Sequence, residues 1–285
     1  MSAAPDLRGI GRIVIGLMLA LFTTAGIAPT SAIAAPPARE LRVMSYNMHA
    51  GIGDDGRLDL ERTARVIETS GADVIGLQEV DRHWSARSDY VDQAQWLARR
   101  LGLHYAYGAN LDRDPEPGRT ERRQYGTAVL SRYPIQSATN HALTSIPYPE
   151  RPTEQRGLLA TRINVRGVKI DFYNTHLDHQ RSEQRASQVR EILELTAGTQ
   201  RPAILVGDLN AVPEAPEIRM LTDDAFRDVF AGTDAFTYPA DAPNRRIDYV
   251  LTRGPRSFTD STVIDTPASD HLPVVTTITD LRKIN

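Results

Sequence analysis

The stretch Ile204–Pro213, ILVGDLNAVP, decides how this chain is read. It opens as a strand buried on both faces does, with an unbroken apolar run rather than an alternating one. Asp208 and Asn210 then stand where a core would take Val or Leu. A carboxylate and an amide at the end of an apolar run need either a structural partner or a ligand.

The same punctuation recurs along the chain. Apolar segments stop on Asn47 in MSYNMH, on Glu79 in GLQEV and on His176 in NTHLDH, and the pattern returns at Asp248 in RIDYVL and at Asp270 with His271 in SDHLPV. Each has a bland reading alone. Glu79 reads as a strand-edge carboxylate facing water, Asn47 as a turn cap, His176 as a core imidazole, Asp208 as the N-cap of a helix near Pro213, and Asp248 as a partner of Arg245 or Arg246. Six independent accidents of this kind in one domain are a longer explanation than convergence at one sheet edge, where a rigid sheet fixes a residue and a loop leaves it accessible. Such a cluster supplies hard oxygen ligands for Mg²⁺, Mn²⁺ or Ca²⁺ together with two imidazoles. Metal plus imidazole suits phosphoester hydrolysis: charge is neutralised on the phosphoryl group, one His takes a proton from water, and another protonates the leaving oxygen.

Around these points the chain alternates strands and helices. LRVMSYN reads as a strand with Leu41, Val43 and Ser45 on one face and Met44 and Tyr46 on the other. Asp59 N-caps a helix, LERTARVIETS, that Gly71 ends. ADVIGLQEV is a short strand ending at Glu79, and Asp89–Gly102 is a second helix burying Val91, Ala94, Leu97, Ala98 and Leu101. YGTAVLSR, RGLLATRINV and VKIDFYNTHL are strands, the last two joined by a hairpin at VRGVK. A third helix, from Arg181 to Gly198, packs Val189, Ile192, Leu193 and Leu195 inward. PAILVGDLN, a short helix near APEIRMLTD, and the strands RRIDYVLTR and SDHLPVVTTIT complete the chain. Residues 113–123 and 150–155 read as surface loops. One α/β domain over 41–280 accounts for the whole.

The N-terminus stands apart. Arg8 and Arg12 precede an apolar run over residues 13–28, followed by small residues up to Ala34. That order is the layout of a secretory signal peptide, 1–34, with a Pro/Ala linker over 35–40. The apolar run is shorter than the roughly 20 residues of a spanning helix. The expected location is therefore secreted or extracytoplasmic, without stable membrane insertion after processing, and the chain is read as a monomer. Without residues 1–35 the 33 basic and 36 acidic side chains fall to 31 and 35, a formal charge of −4. This argues against an indiscriminate binder of nucleic acid, which usually presents a basic face. There is no Cys, so stability in an oxidising compartment rests on core burial rather than disulfides.

In order and approximate spacing, MSYNMH, GLQEV, YGTAVLSR, NTHLDH, VGDLNA, RIDYVL and SDHLPV resemble the endonuclease/exonuclease/phosphatase superfamily of DNase I-like, metal-dependent phosphoesterases. The resemblance spans Leu41 to Ile278, and the pairing of GDLN with a terminal SDH is its most specific part. It implies an α/β (α+β) four-layer sandwich, two packed and mostly antiparallel sheets flanked by helices, with the site at one edge. It further implies Glu79 as principal metal ligand, with Asn47 beside it and Asp270 as a metal-side carboxylate. Asp208 would orient the attacking water and Asn210 hold a phosphoryl oxygen. His271 would be the general base with its tautomer set by Asp248, and His176 the second imidazole. His49, Tyr125 and Arg156 are assigned to substrate binding; His179, Arg181 and Arg185 fringe the cleft or are solvated surface. Mg²⁺, or Mn²⁺ or Ca²⁺, is the expected cofactor.

The expected activity is metal-dependent hydrolysis of a small or lipid-linked phosphodiester by in-line attack of water. The alternative is a secreted endo- or exonuclease on DNA or RNA, for which the Arg113–Arg123 loop is basic enough. A noncatalytic binding module has no use for a complete set of acid, base and metal groups.

Overall fold

The computed structural model describes residues 39–150 and 152–282, so the segment read as a signal peptide and residues 35–38 of the linker lie outside the described residues. Two six-stranded sheets form the centre. The first comprises β1 (Arg39–Asn47), β2 (Val74–Arg82), β3 (His104–Arg113), β4 (Arg123–Ser131), β11 (Phe258–Val263) and β12 (Val274–Leu281), in the order β11-β12-β1-β2-β4-β3. The second comprises β5 (Ile135–Ala142), β6 (Gly157–Val165), β7 (Val168–His176), β8 (Ala203–Asp208), β9 (Arg227–Asp228) and β10 (Asp248–Arg253), in the order β5-β6-β7-β8-β10-β9. Each sheet is antiparallel except for one central parallel pair, β1 with β2 and β7 with β8. Those pairs are the ones bridged by helices, α1 (Leu60–Ser70) and α3 (Ser182–Ala197), as a parallel crossover requires.

Strand alternation sorts the apolar residues into three cores. Leu41, Val43, Phe172, Ile204, Val206 and Val274 meet between the sheets. Met44, Ile75 and Leu77 face the other way, onto α1 and α2 (Gln93–Leu101). Leu205, Tyr249 and Leu251 pack under α3 and α4 (Pro216–Thr222). The layers therefore run helix, sheet, sheet, helix. The middle core is the reason ILVG shows no alternation, since Ile204 and Val206 face the opposite sheet while Leu205 faces the helices.

Most expected elements are present, with Asp59 capping α1 through the Arg62 amide and Gly71 closing it at φ +66°. Three details differ. The second helix starts at Gln93 rather than Asp89, because Asp92 is its cap and Asp89 and Tyr90 take left-handed backbone. Leu195 is 40% exposed instead of packing inward; α3 packs along Val189 and Ile192. The strand ending expected at Glu79 runs on to Arg82. No helix among the described residues is long and apolar enough to cross a membrane.

Under the site the sheets come close and are tied by polar groups. A Cβ on Gly76 would lie 2.3 Å from Val206 Cγ2, so only Gly fits that crossing. Beside it the Gln78 amide donates to Asn174 Oδ1 at 2.7 Å, and Asn174 donates to the Leu77 and Ala128 carbonyls, both at 2.8 Å. All these groups are buried. A network with every donor placed fixes the relative register of the two sheets more sharply than apolar contact does.

Candidate active site

The second sheet delivers a row of three residues. β7 ends at His176 and β8 at Asp208, in register with each other, and the antiparallel β10 begins at Asp248 opposite Asp208. In-register neighbours project from the same face, so the three side chains stand together. Asp248 opens its strand and the Asp270–His271 pair precedes β12, so neither ends a strand. They reach the same edge because β10 and β12 run antiparallel to their neighbours.

The first sheet delivers Asn47 and Glu79. β1 ends at Asn47, but Glu79 lies within β2, at a register break between Leu77 and Val80 where its own φ is +55°. A bulge re-aims a side chain that regular pleating would send elsewhere, and here it turns Glu79 toward Asn47. The Asn47 amide nitrogen donates to Glu79 Oε1 and to Asp208 Oδ2, each at 3.0 Å, and so links the two sheets. Its oxygen accepts from the His49 amide at 3.1 Å. Ser269 ties in the final segment, donating to the Asn47 carbonyl at 2.8 Å and accepting from the His271 amide at 3.2 Å.

Hydrogen-bond partners assign both imidazoles. Arg156 approaches His176 Nδ1 at 3.0 Å. A guanidinium only donates, so His176 carries its proton on Nε2, which lies 3.4 Å from Asp208 Oδ2. Burial and Arg156 push the His176 pKa well below the usual imidazole range, and it is neutral. His271 differs. Its Nδ1 lies 3.0 Å from Asp248 Oδ2, so that nitrogen is the donor and Nε2 faces Asp208 Oδ2 at 3.6 Å. Burial opposes charge on His271, but Asp248 and Asp208 outweigh it and push the imidazole up to about 10. Burial raises Asp208 to about 7, assisted by Asp248 and opposed by His271. Asp208 Oδ1 accepts from the Asn210 amide at 2.9 Å; Asn210 sits at φ +51° and donates to the Leu177 carbonyl at 3.1 Å.

These groups border one cleft of about 410 Å³, which Glu79, Tyr125, Arg156, Asp208, Asp270 and His271 all line. The donor set fits a hard divalent cation. Asp208, Asp248 and His271 place ligand atoms within 4.8 Å of one another, and Asp248 Oδ1 is fully buried with no hydrogen-bond partner. A buried carboxylate oxygen in that state favours nearby positive charge. Glu79 and Asp270 add two oxygen donors on the cleft wall. As oriented, Asn47 presents its nitrogen to the carboxylates, so it bridges them while its oxygen is held by the backbone.

The residues assigned to substrate are also placed. Arg156 is 3% exposed, paired with Glu154 at 2.7 Å and lying between His176 and His179. Tyr125 lines the cleft and packs on Trp84, with ring centroids 5.8 Å apart. His49 sits at the rim, 3.6 Å from Asp270 and at φ +45°, and does not line the cleft. Arg185 pairs with Glu217 at 2.6 Å and Arg181 with Glu150, away from the cleft lining, which does include His179. Asp248 pairs with His271 rather than with an arginine; Arg246 forks onto Asp228 at 3.1 and 2.7 Å.

Four residues of the site were given no part in it by the sequence. Glu154 lies in a polar loop, and the Ser269 hydroxyl ties the His271 segment to Asn47. Tyr238, in an irregular segment, packs on His271 at 4.7 Å between ring centroids, and Arg245 lies over Tyr238 at 4.8 Å.

Comparison with known proteins agrees with this geometry. The sequence model of the endonuclease/exonuclease/phosphatase family matches residues 44–271. The protein YbhP of Escherichia coli K12 is 27% identical over 231 residues, which are 74% of this chain and 84% of YbhP. A putative neutral sphingomyelinase of Drosophila melanogaster is 24% identical over 246 residues, 75% of this chain and 52% of the fly protein. The crystal structure of an endonuclease/exonuclease/phosphatase from Beutenbergia cavernae superposes with a TM-score of 0.70 at 27% identity, covering 86% of this chain and 72% of that one.

Proposed function

Since the chain belongs to the endonuclease/exonuclease/phosphatase family, we propose that it is an exported, divalent-metal-dependent phosphodiesterase acting on a small or lipid-linked phosphoester by in-line attack of water. The observation that carries this reading is the convergence of Asn47 and Glu79 from one sheet, and of His271 from the segment that leads into β12 of that same sheet, with His176, Asp208 and Asp248 from the other sheet. Glu79 and Asp270, with Asp208 beside them, would hold Mg²⁺, Mn²⁺ or Ca²⁺. A cation there supplies charge neutralisation at the phosphoryl and leaving oxygens and favours the neutral form of His271.

The chain's own groups do the rest. Neutral His271 accepts the proton of the attacking water at Nε2, while Asp248 holds Nδ1–H and stabilises the imidazolium that results. Asp208 orients the water from the opposite side. Asn210 and the Arg156 fork offer donors to the phosphoryl oxygens as charge develops there. His176, with its proton on Nε2, is a donor toward the reacting group and not a base.

A small or lipid-linked substrate is favoured over a nucleic acid strand by the loop after β3. Arg122 is paired with Asp112 and Asp114, and Arg123 with Glu116, so the basic run is largely neutralised from within. The sphingomyelinase relative supports the same choice. Export rests on the order of Arg8, Arg12, the apolar run and Ala34, and N-terminal sequencing of the mature protein checks it.

The test is hydrolysis of bis-p-nitrophenyl phosphate, followed by a panel of sphingomyelin, phosphoinositides, plasmid DNA and RNA at fixed salt. Activity is expected to vanish in EDTA and to return with Mg²⁺, Mn²⁺ or Ca²⁺. Full turnover in chelator removes the metal from the account, and turnover confined to DNA or RNA overturns the substrate class.

A further inference from the structure

Two guanidinium groups line the cleft, and they are built differently. Arg156 is buried and already engaged through part of its fork, with Glu154 at 2.7 Å and His176 at 3.0 Å. Arg245 is exposed, and among the described residues it forms no ion pair. Other arginines, among them Arg62, Arg82, Arg87, Arg100 and Arg122, do have carboxylate partners.

Arg245 is nevertheless held in place. Its backbone pairs with Tyr238 in both directions, at 3.1 and 3.2 Å, and its carbonyl also accepts from the Thr237 amide at 2.9 Å. Its guanidinium carbon lies 4.8 Å from the Tyr238 ring centroid, and that ring packs on the His271 imidazole at 4.7 Å. The stack Arg245–Tyr238–His271 thus ties a solvent-facing cation to the reacting end of the cleft. Stacking on an aromatic face leaves the edge of the guanidinium, where its donors are, free to fork onto an oxyanion.

On the phosphodiesterase reading above, the scissile phosphoryl group is attended by Arg156, Asn210 and the imidazoles, so Arg245 is surplus to it. We infer that the cleft takes a phosphoester bearing a second phosphate outside the reacting group, and that the Arg245 guanidinium binds it. Arg245 is then a specificity residue: it discriminates a doubly anionic substrate from a simple diester. The second phosphate has two chemical sources, a phosphorylated headgroup or the next phosphate of a strand, and both present the same oxyanion to the fork.

Two substrate pairs at fixed salt test this, glycerophosphoinositol with and without a 4-phosphate, and a thymidine dinucleotide with and without a 5′-terminal phosphate. The parent protein is expected to prefer the phosphorylated member of one pair by about tenfold or more in kcat/KM, the discrimination a site built for a polar group achieves readily. Preference in the first pair identifies a headgroup, and in the second a strand. Arg245→Gln is expected to bring that ratio close to one, and Arg245→Lys to restore part of it by keeping the charge without the fork. A role limited to clamping Tyr238 would instead depress both members equally and leave the ratio intact, which overturns the inference. Hydrolysis of all four compounds without preference overturns it too and leaves the phosphodiesterase reading standing; hydrolysis of none overturns both.

Discussion

β7 carries a buried carboxylate near one end and a buried imidazole at the other, and the two ends are solved in opposite ways. Asp171 is met by Arg201 at 3.0 and 3.1 Å, by Arg162 at 3.2 Å and by the Thr199 hydroxyl. Its charge is balanced by guanidinium groups that do not release protons. About 17 Å along the strand at a rise of roughly 3.3 Å per residue, the carboxylates beside His176, Asp208 and Asp248, face no guanidinium among the described residues: the groups near them that can carry charge are imidazoles, which titrate, and Asp248 Oδ1 has no hydrogen-bond partner. Cavity size does not separate the two kinds of place. A cavity of about 660 Å³, larger than the cleft, is lined by Asp228 and Arg246, which pair in a two-pronged fork. What marks the cleft is polar convergence left incomplete.

The largest expected effect is on turnover. His271→Ala removes the base and should lower kcat on bis-p-nitrophenyl phosphate by about 10²–10⁴-fold, with Glu79→Ala in the same range and the fold intact by circular dichroism. Asp171→Asn, five residues along β7 from His176, should change kcat by less than about twofold, because it touches nothing in the cleft. If His271→Ala turns over like the parent, the base is assigned wrongly; if Asp171→Asn loses as much, the two ends are not independent.

Stability sharpens the contrast by sign. Asp171→Asn discards ion pairs and should destabilise by about 1–3 kcal/mol. Asp208→Asn, the same chemical change on the neighbouring strand, should stabilise the metal-free protein at pH 8 by about 1 kcal/mol while abolishing activity. The reason is that burial raises the folded-state pKa of Asp208 to about 7, above the unfolded value of about 3.9. The stabilising contribution of the protonated form is present below pH 4 and is lost as pH rises through 7, so at pH 8 a buried charge is being tolerated. Urea midpoints for the two variants measure this directly, and two losses of equal size would break the comparison.

The same contrast explains what the sequence disclosed. The eight interior strands were legible because both faces are buried and the apolar runs are dense, as in Ala203–Asp208. The four edge strands, β3, β5, β9 and β11, were not. β5 and β11 are mostly exposed, and strands half in water alternate too weakly to separate from loops. In the site, Asp208 and His176 were legible as polar stops on apolar runs. Glu79 was found for a partly wrong reason, since it sits in a bulge and the strand continues beyond it. Tyr238, Arg245, Glu154 and Ser269 act from loops, where no period fixes which way a side chain faces.

The smallest effect is the acid limb at the far end. Burial alone would raise Asp171, but Arg201, Thr199 and Arg162 outweigh it and hold its pKa below the usual carboxylate range. A depressed folded-state pKa gives stability that is full above the unfolded value of about 3.9 and is lost as pH falls through the folded one. The difference in Tm between parent and Asp171→Asn should therefore be constant from pH 7 to pH 5 and shrink toward zero below about pH 4. The cleft contributes with the opposite sign over part of that range. Asp208 gains protons more readily folded than unfolded, whereas neutral, buried His176 resists protonation that the unfolded chain accepts near pH 6.5. Comparing the variant with its parent cancels both of those terms and isolates Asp171. A Tm difference that instead stays constant down to pH 3 would mean that the guanidinium cluster does not recognise the charge on Asp171, and the distinction between a fixed-charge end and a titrating end of the sheet would rest on the cleft alone.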